Sequence, residues 1–297
     1  MQAKWLARSM FAALAVALVL ASACGGGSSD SKSTSPTTAP KAFAAGSTMD
    51  QIVKRGKITI GVKYDVALFG QLDPVTRKVD GFDVALGKAI AHELGLKDEQ
   101  IEFVEAISAN RIPYLQEDKA DLVISTMTIN ADRKQQIEFS RPYYLAGQSI
   151  LVMKSNTTIN SVTDLNGKRV CSAQGSTSEQ NIVAKAPQAQ LLSLQTYSAC
   201  VSSMKDGRVD AVSTDDIILA GFAAADKDLK LTGPTFTTEA YGIGMKKGKT
   251  DMQKFVDDLL TSMLSDGRWE TLYKQYFGNV TGLPTSTEMK AKLPPTA

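Results

Sequence analysis

The chain of 297 residues holds one histidine, three cysteines and two tryptophans, and its formal net charge is only +2. Each scarcity removes a class of function. The lone histidine, His92, stands on an amphipathic stretch far in sequence from every other candidate residue, so no acyl-transfer nucleophile has a base to work with. Together with two remote cysteines it is no metal-ligand set either. His92 reads as a helix-surface residue, and no metal or cofactor is expected. Basic residues are dispersed and nearly balanced by acids, which gives no footprint for nucleic acid. Long apolar runs are also missing: the one candidate, residues 10–20, is too short to span a bilayer comfortably.

That short run has the flanks of an export signal. Lys4 and Arg8 precede it, and the small residues Ala21-Ser22-Ala23 lead into Cys24. Residues 1–23 are expected to be a lipoprotein signal peptide, with Cys24 lipidated to hold the protein on the outer face of the cell membrane. The residue three before the cysteine is Ala21 rather than a bulky aliphatic, so an ordinary secreted chain is the alternative. Residues 24–47 are rich in Gly, Ser, Thr, Ala and Pro without apolar period, the composition of a flexible tether. In an oxidising compartment Cys171 and Cys200 are expected to form a disulfide, the other option being two buried thiols.

From residue 48 the pattern alternates strands and helices. Residues 58–62, 101–104 and 121–125 read as strands. Between them lie a helix over 81–95, with Asp83 as its cap and Gly95 as its stop, and a short helix capped by Asn110. Such alternation calls for a parallel sheet covered by helices on both faces. Two extended crossings, at 147–153 and 241–245, bracket a second alternation of the same kind. A second α/β unit inserted into the first follows, as residues 148–240 within 48–147 plus 241–278. The proline-bearing segment 279–297 reads as a disordered tail. Ligands of open α/β sheets bind beyond the carboxyl ends of the strands, so two such units joined by two hinge strands enclose a cleft.

One stretch stands out at a strand end. The apolar Leu122-Val123-Ile124 breaks into Ser125-Thr126-Met127-Thr128, and Arg133 follows. Short hydroxyl side chains at a strand tip, with a guanidinium close by, suit a small zwitterion, because a planar fork of donors matches a carboxylate. An ordinary surface arginine is the alternative reading.

With Gly81-Phe82-Asp83-Val84, Thr126 to Arg133, Pro142-Tyr143-Tyr144, Gly175-Ser176-Thr177-Ser178, the run 206–215 and Gly267-Arg268-Trp269 in this order, the chain resembles the family-3 extracellular solute-binding proteins. These are the polar amino-acid receptors of ABC importers. Ala85 departs from the usual acidic residue of the first motif. The resemblance implies a two-domain, type II periplasmic-binding-protein-like fold and binding rather than catalysis. It implies that Arg133 takes the ligand α-carboxylate with Thr128, and that the Thr126 carbonyl and Asp215 take the α-ammonium. Thr177 and Ser176 would add donors at a helix start, where an anion is favoured anyway. Asp216 reads as an N-cap. Ser108 lacks the aromatic ring that many such receptors use to stack a cationic side chain. Asn110-Arg111-Ile112 is similar to receptors of the glutamate/aspartate type, with Arg111 on the side-chain carboxylate and Lys63 as a second cation.

The expected ligand is therefore a free acidic L-amino acid, with glutamine or asparagine next. The expected partners are an ABC permease and its ATPase, bound by a monomer. A dehydratase-like enzyme on the same fold and a sensor lipoprotein are the rival classes.

Overall fold

A computed structural model of the protein describes residues 42–294. The signal segment, Cys24 and most of the tether lie outside the described residues. Two five-stranded sheets organise the rest. The first sheet runs in the order Ile101–Glu105, Ile58–Val62, Leu122–Val123, Gly244–Lys246, Ile137–Phe139. Its first three strands are parallel, and Gly244–Lys246 lies antiparallel to both neighbours. The second sheet runs Gln190–Leu194, Arg169–Ala173, Ala211–Asp215, Gln148–Met153, Leu229–Thr232, with the first three again parallel.

Chain passes between the two lobes as an antiparallel pair, Tyr144–Ala146 against Glu239–Tyr241, with Tyr144 opposite Tyr241. This hinge pair lies a few residues before each crossing expected from the sequence, because Gly244–Lys246 and Gln148–Met153 are full members of the two sheets.

The first lobe is built on aromatic rings. Phe69, Phe82, Tyr143, Tyr144, Tyr241, Trp269 and Phe277 are all buried. Phe82 and Phe277 sit 5.0 Å apart, and Tyr144 stacks on Tyr241 at 5.7 Å. Such contacts are directional as well as apolar. The Trp269 indole N–H donates to the Tyr143 carbonyl at 3.0 Å, so the Gly-Arg-Trp motif clamps the entry to the hinge. Gly81 is required at its position. Its φ is 144°, and a Cβ there would lie 2.2 Å from Phe69 backbone atoms.

Several local expectations need correction. Asp83 does not cap the Phe82–Glu93 helix: Gly81 holds the cap position, and Asp83 is the second helical residue, fully buried in the first turn. Asn110 precedes the Arg111–Gln116 helix, but its side chain makes no capping bond. Asp215, not Asp216, occupies the N-cap of the Asp216–Ala225 helix, while the Asp216 carboxylate accepts from the Gly147 and Ile217 N–H groups. The expected disordered tail contains a helix, Ser286–Lys292, with a Thr285/Glu288 capping box and a buried Met289. Thr-x-x-Glu was the signal for it. A small sheet of Asp65–Val66, Gly70–Leu72 and Val79–Asp80 has strands too short to leave a periodic trace. Gly95 does end its helix, at φ 84°. Cys171 and Cys200 are joined by a disulfide, buried in the second lobe.

Candidate functional site

Every sequence-predicted ligand-binding residue of the described chain sits at the carboxyl end of a strand, or in the loop or the first helical turn that follows it. Lys63 follows Ile58–Val62, Arg111 lies beyond Ile101–Glu105, and Thr126, Thr128 and Arg133 follow Leu122–Val123. From the other lobe, Ser176 and Thr177 follow Arg169–Ala173, and Asp215 is the last residue of Ala211–Asp215.

The lobes are closed on each other. Thr128 Oγ1 meets Thr177 Oγ1 at 3.4 Å, and the Arg133 Nη2 donates to the Gly175 carbonyl at 3.3 Å. The Ser198 N–H donates to Asp65 Oδ2 at 3.1 Å. Ala109 and Gly175 approach so closely that a Cβ on Gly175 would lie 2.9 Å from the Ala109 Cα. A cavity of about 290 Å³ opens beside the two arginines, lined by Ser108, Arg111, Met127, Arg133, Gln136 and Gly175. That is near the lower limit for small-molecule sites and matches a ligand of few atoms.

Three cations are buried here, and their hydrogen bonds among the described residues all go to neutral oxygens. Arg133 Nη1 donates to the Thr128 carbonyl at 2.7 Å. Arg111 donates through Nε to the Ser108 carbonyl, and through Nη1 to the carbonyls of Ser125 at 3.0 Å and Thr126 at 3.1 Å. Lys63 Nζ donates to Ser108 Oγ at 2.9 Å and lies 5.7 Å from the centre of the Tyr197 ring. None of the three forms an ion pair with an acid among the described residues. Burial, and then the neighbouring Arg111, lower the Lys63 ammonium to about 7 and the Arg133 guanidinium to about 9. Arg111 itself is lowered, chiefly by burial.

The acids show the mirror image. Asp215 Oδ2 accepts from the Tyr241 hydroxyl at 2.5 Å, whereas Oδ1 is buried without a hydrogen-bond partner among the described residues. Burial, with the Glu239 carboxylate nearby, pushes Asp215 up to about 8. An orphaned carboxylate oxygen of this kind is costly and calls for explanation. Cationic groups on one lobe and, on the other, a carboxyl that burial holds largely protonated thus share one cleft; an ammonium beside Asp215 would favour its ionised form.

Two of the predicted residues have a second occupation. Ser176 caps the Thr177–Lys185 helix by accepting from the Glu179 N–H at 3.0 Å, which is the ordinary duty of a serine there. The Thr126 carbonyl already takes an Arg111 donor. Sequence reasoning missed Tyr197, Glu239 and Tyr241. Tyr197 stands just past a strand end, and the alternation Glu239-x-Tyr241 faces one side of the hinge strand; neither carries a type-specific signature of ligand chemistry.

A profile of the bacterial extracellular solute-binding proteins, family 3, matches residues 58–279. The chain belongs to that family. The ABC transporter glutamine-binding protein GlnH of Bacillus subtilis is 38% identical to this family member over 261 residues, covering 88% of this chain and 93% of that protein. Glutamate-binding protein GluB of Corynebacterium glutamicum is 32% identical over 237 residues, or 76% of this chain and 80% of the other. Among solved structures, an ancestral arginine-binding protein bound to glutamine matches with TM-score 0.72 and 38% identity, covering 76% of this chain and 99% of that one. The family-3 chain therefore has the two-domain α/β fold of type II periplasmic-binding proteins.

Proposed function

We propose that this family-3 protein is the extracytoplasmic receptor of an ABC importer, capturing a polar L-α-amino acid by cleft closure and delivering it to a membrane permease with its ATPase. The observation that carries the reading is the polar set of the cleft: three buried cations that, among the described residues, bond only to neutral oxygens, and on the other lobe a buried Asp215 carboxyl with one oxygen unpartnered. A lone charge removed from water costs several kcal/mol unless paired, so such a set favours a ligand carrying the complementary charges. Arg133 takes the α-carboxylate, with Thr128 and the N–H groups at the start of the Thr177–Lys185 helix. Asp215 takes the α-ammonium through Oδ1, helped by the remaining acceptor capacity of Thr126. Lys63, on Ser108, and Arg111 take the end of the side chain.

Two cations at the side-chain end favour glutamate or aspartate. Glutamine is the second reading, supported by the relatives of that name and by the Lys63 amine itself. A lysine titrating at about 7 meets a carboxylate as a cation and a carboxamide as a neutral amine. Cys24 would carry the lipid anchor and residues 24–47 the tether.

A thermal-shift panel of glutamate, aspartate, glutamine, asparagine, histidine and arginine at pH 6 and pH 8 tests this reading. Protection by the first three, with the glutamate-to-glutamine ratio falling as pH rises through 7, supports it. Greater protection by histidine or arginine would contradict it.

A further inference from the structure

We propose that Glu239 and Tyr241, on the hinge strand, are positioning residues that set the hydrogen-bond polarity of Thr177 and Asp215 in the second lobe. The inference rests on reading the cleft as an amino-acid site. Alternation along the Glu239–Tyr241 strand puts the two side chains on one face. Both residues are buried, and each meets a different ligand-facing group of the second lobe.

Glu239 Oε2 accepts the Thr177 hydroxyl proton at 3.0 Å. A threonine hydroxyl has one proton, so that bond leaves Thr177 only lone pairs to present to the cleft. The 3.4 Å contact with Thr128 must then be donated by Thr128. Glu239 is itself held, because its Oε1 accepts from Asn181 Nδ2 at 3.1 Å, and the same amide group donates to Gln148 Oε1 at 2.9 Å. Gln148 in turn donates to the Ser178 carbonyl and to Ser213 Oγ. A carboxylate is an acceptor only, so this chain fixes the direction of every proton from the hinge to Thr177.

Tyr241 does the complementary task. Its single hydroxyl proton goes to Asp215 Oδ2, which leaves Oδ1 as the free acceptor of the ionised carboxylate. One hinge strand therefore prepares an acceptor on each of the two second-lobe groups. A rotation of that strand moves both together, so hinge register and ligand contact are a single unit.

Calorimetric cycles with glutamate and, separately, glutamine as probes test the assignment. Glu239→Gln, which replaces one acceptor oxygen by a donor, is expected to weaken binding at least about tenfold. In a Thr177→Val background the same substitution should change affinity by less than about twofold, since the effect passes through Thr177. Tyr241→Phe measured with and without Asp215→Asn should behave alike. Equal fold-losses in both backgrounds would overturn the proposal, because a merely structural role is indifferent to Thr177 or Asp215.

A ligand-free arm follows the Asp215 carboxyl carbon by NMR titration. Tyr241→Phe should raise its midpoint by removing a donor, and Glu239→Gln should lower it by removing a nearby negative charge. A wild-type protein that binds neither amino acid refutes the proposed function. In that case a midpoint unmoved in both variants overturns this inference, and opposite shifts uphold it.

Discussion

Taking the Lys63 ammonium out of water costs several kcal/mol, and Ser108 supplies one neutral hydrogen bond against that cost. Between about pH 7 and 10.5 the unfolded chain binds a proton that folded Lys63 has lost, so this group's contribution to ligand-free stability rises with pH across that window. Below 7 the burial cost is present in full. Lys63→Met is therefore expected to stabilise the ligand-free protein at pH 6 by on the order of 1 kcal/mol, an advantage that shrinks toward pH 10. The same variant should lose glutamate affinity. Urea denaturation at the two pH values, beside a glutamate titration, measures both; a Lys63→Met protein less stable at pH 6 would contradict the account. Arg133 stood out in the sequence because a guanidinium beside hydroxyls at a strand tip has a chemical reason to be there, and the structure brings it onto the Thr128 carbonyl. The burial of Lys63 and Arg111 was not legible, since a linear pattern does not show which loops a closed second lobe covers.

At the scale of elements, the Phe82–Glu93 helix and the strand-end loop are joined through Asp83. Its carboxylate accepts from the Thr126 N–H at 2.9 Å and from the Tyr143 hydroxyl at 2.8 Å. Thr126 sits at φ 43°, an unfavourable value for a β-branched residue, so something must hold it there. Burial pushes Asp83 up to about 7 despite these donors. Asp83→Ala leaves two buried donors without an acceptor and should destabilise the protein by about 2–4 kcal/mol, with weaker ligand binding by the folded fraction. A loss below about 0.5 kcal/mol in urea denaturation would show that the clamp is unimportant. The disulfide is a second clamp, tying the Arg169–Ala173 strand to the Tyr197–Lys205 helix across a separation of 29 residues. Its removal by Cys171→Ser with Cys200→Ser should lower stability by about 3–4 kcal/mol on the loop-entropy account. The helix over 81–95 and the strands at 58–62, 101–104 and 121–125 were readable from apolar period and turn residues to within one or two positions, whereas Ala131–Gln136 and Ile137–Phe139 were not read at all. The misplaced caps arose because Asp83 and Asn110 have residue types that suit a cap, while burial against Thr126 and the turn before Arg111 decided their contacts.

At the scale of the whole molecule, two extended crossings with a complete α/β alternation between them are what the sequence offers for an inserted second unit. What joins the lobes was less readable. The hinge pair rests on Tyr144 and Tyr241 stacked over the aromatic core, and its strand carries Glu239 and Tyr241 toward the second lobe. Contacts among residues separated by a hundred positions leave no local period to find. Closure assembles a cleft in which Arg133 from one lobe reaches Gly175 of the other, and Thr128 meets Thr177. A ligand shifts an open–closed equilibrium only through contacts that differ between the states, and on the proposed reading these cross-lobe groups would make them. The central claim is that Arg133 grips the carboxylate of an α-amino acid inside this cleft. Isothermal titration of the wild type and of Arg133→Ala with glutamate, aspartate and glutamine tests it directly. The account predicts micromolar binding of at least one of them and a loss of at least about 3 kcal/mol in the variant, because a buried carboxylate is left unpaired. Unchanged affinity in Arg133→Ala, or no binding of any of the three by the wild type, would contradict it.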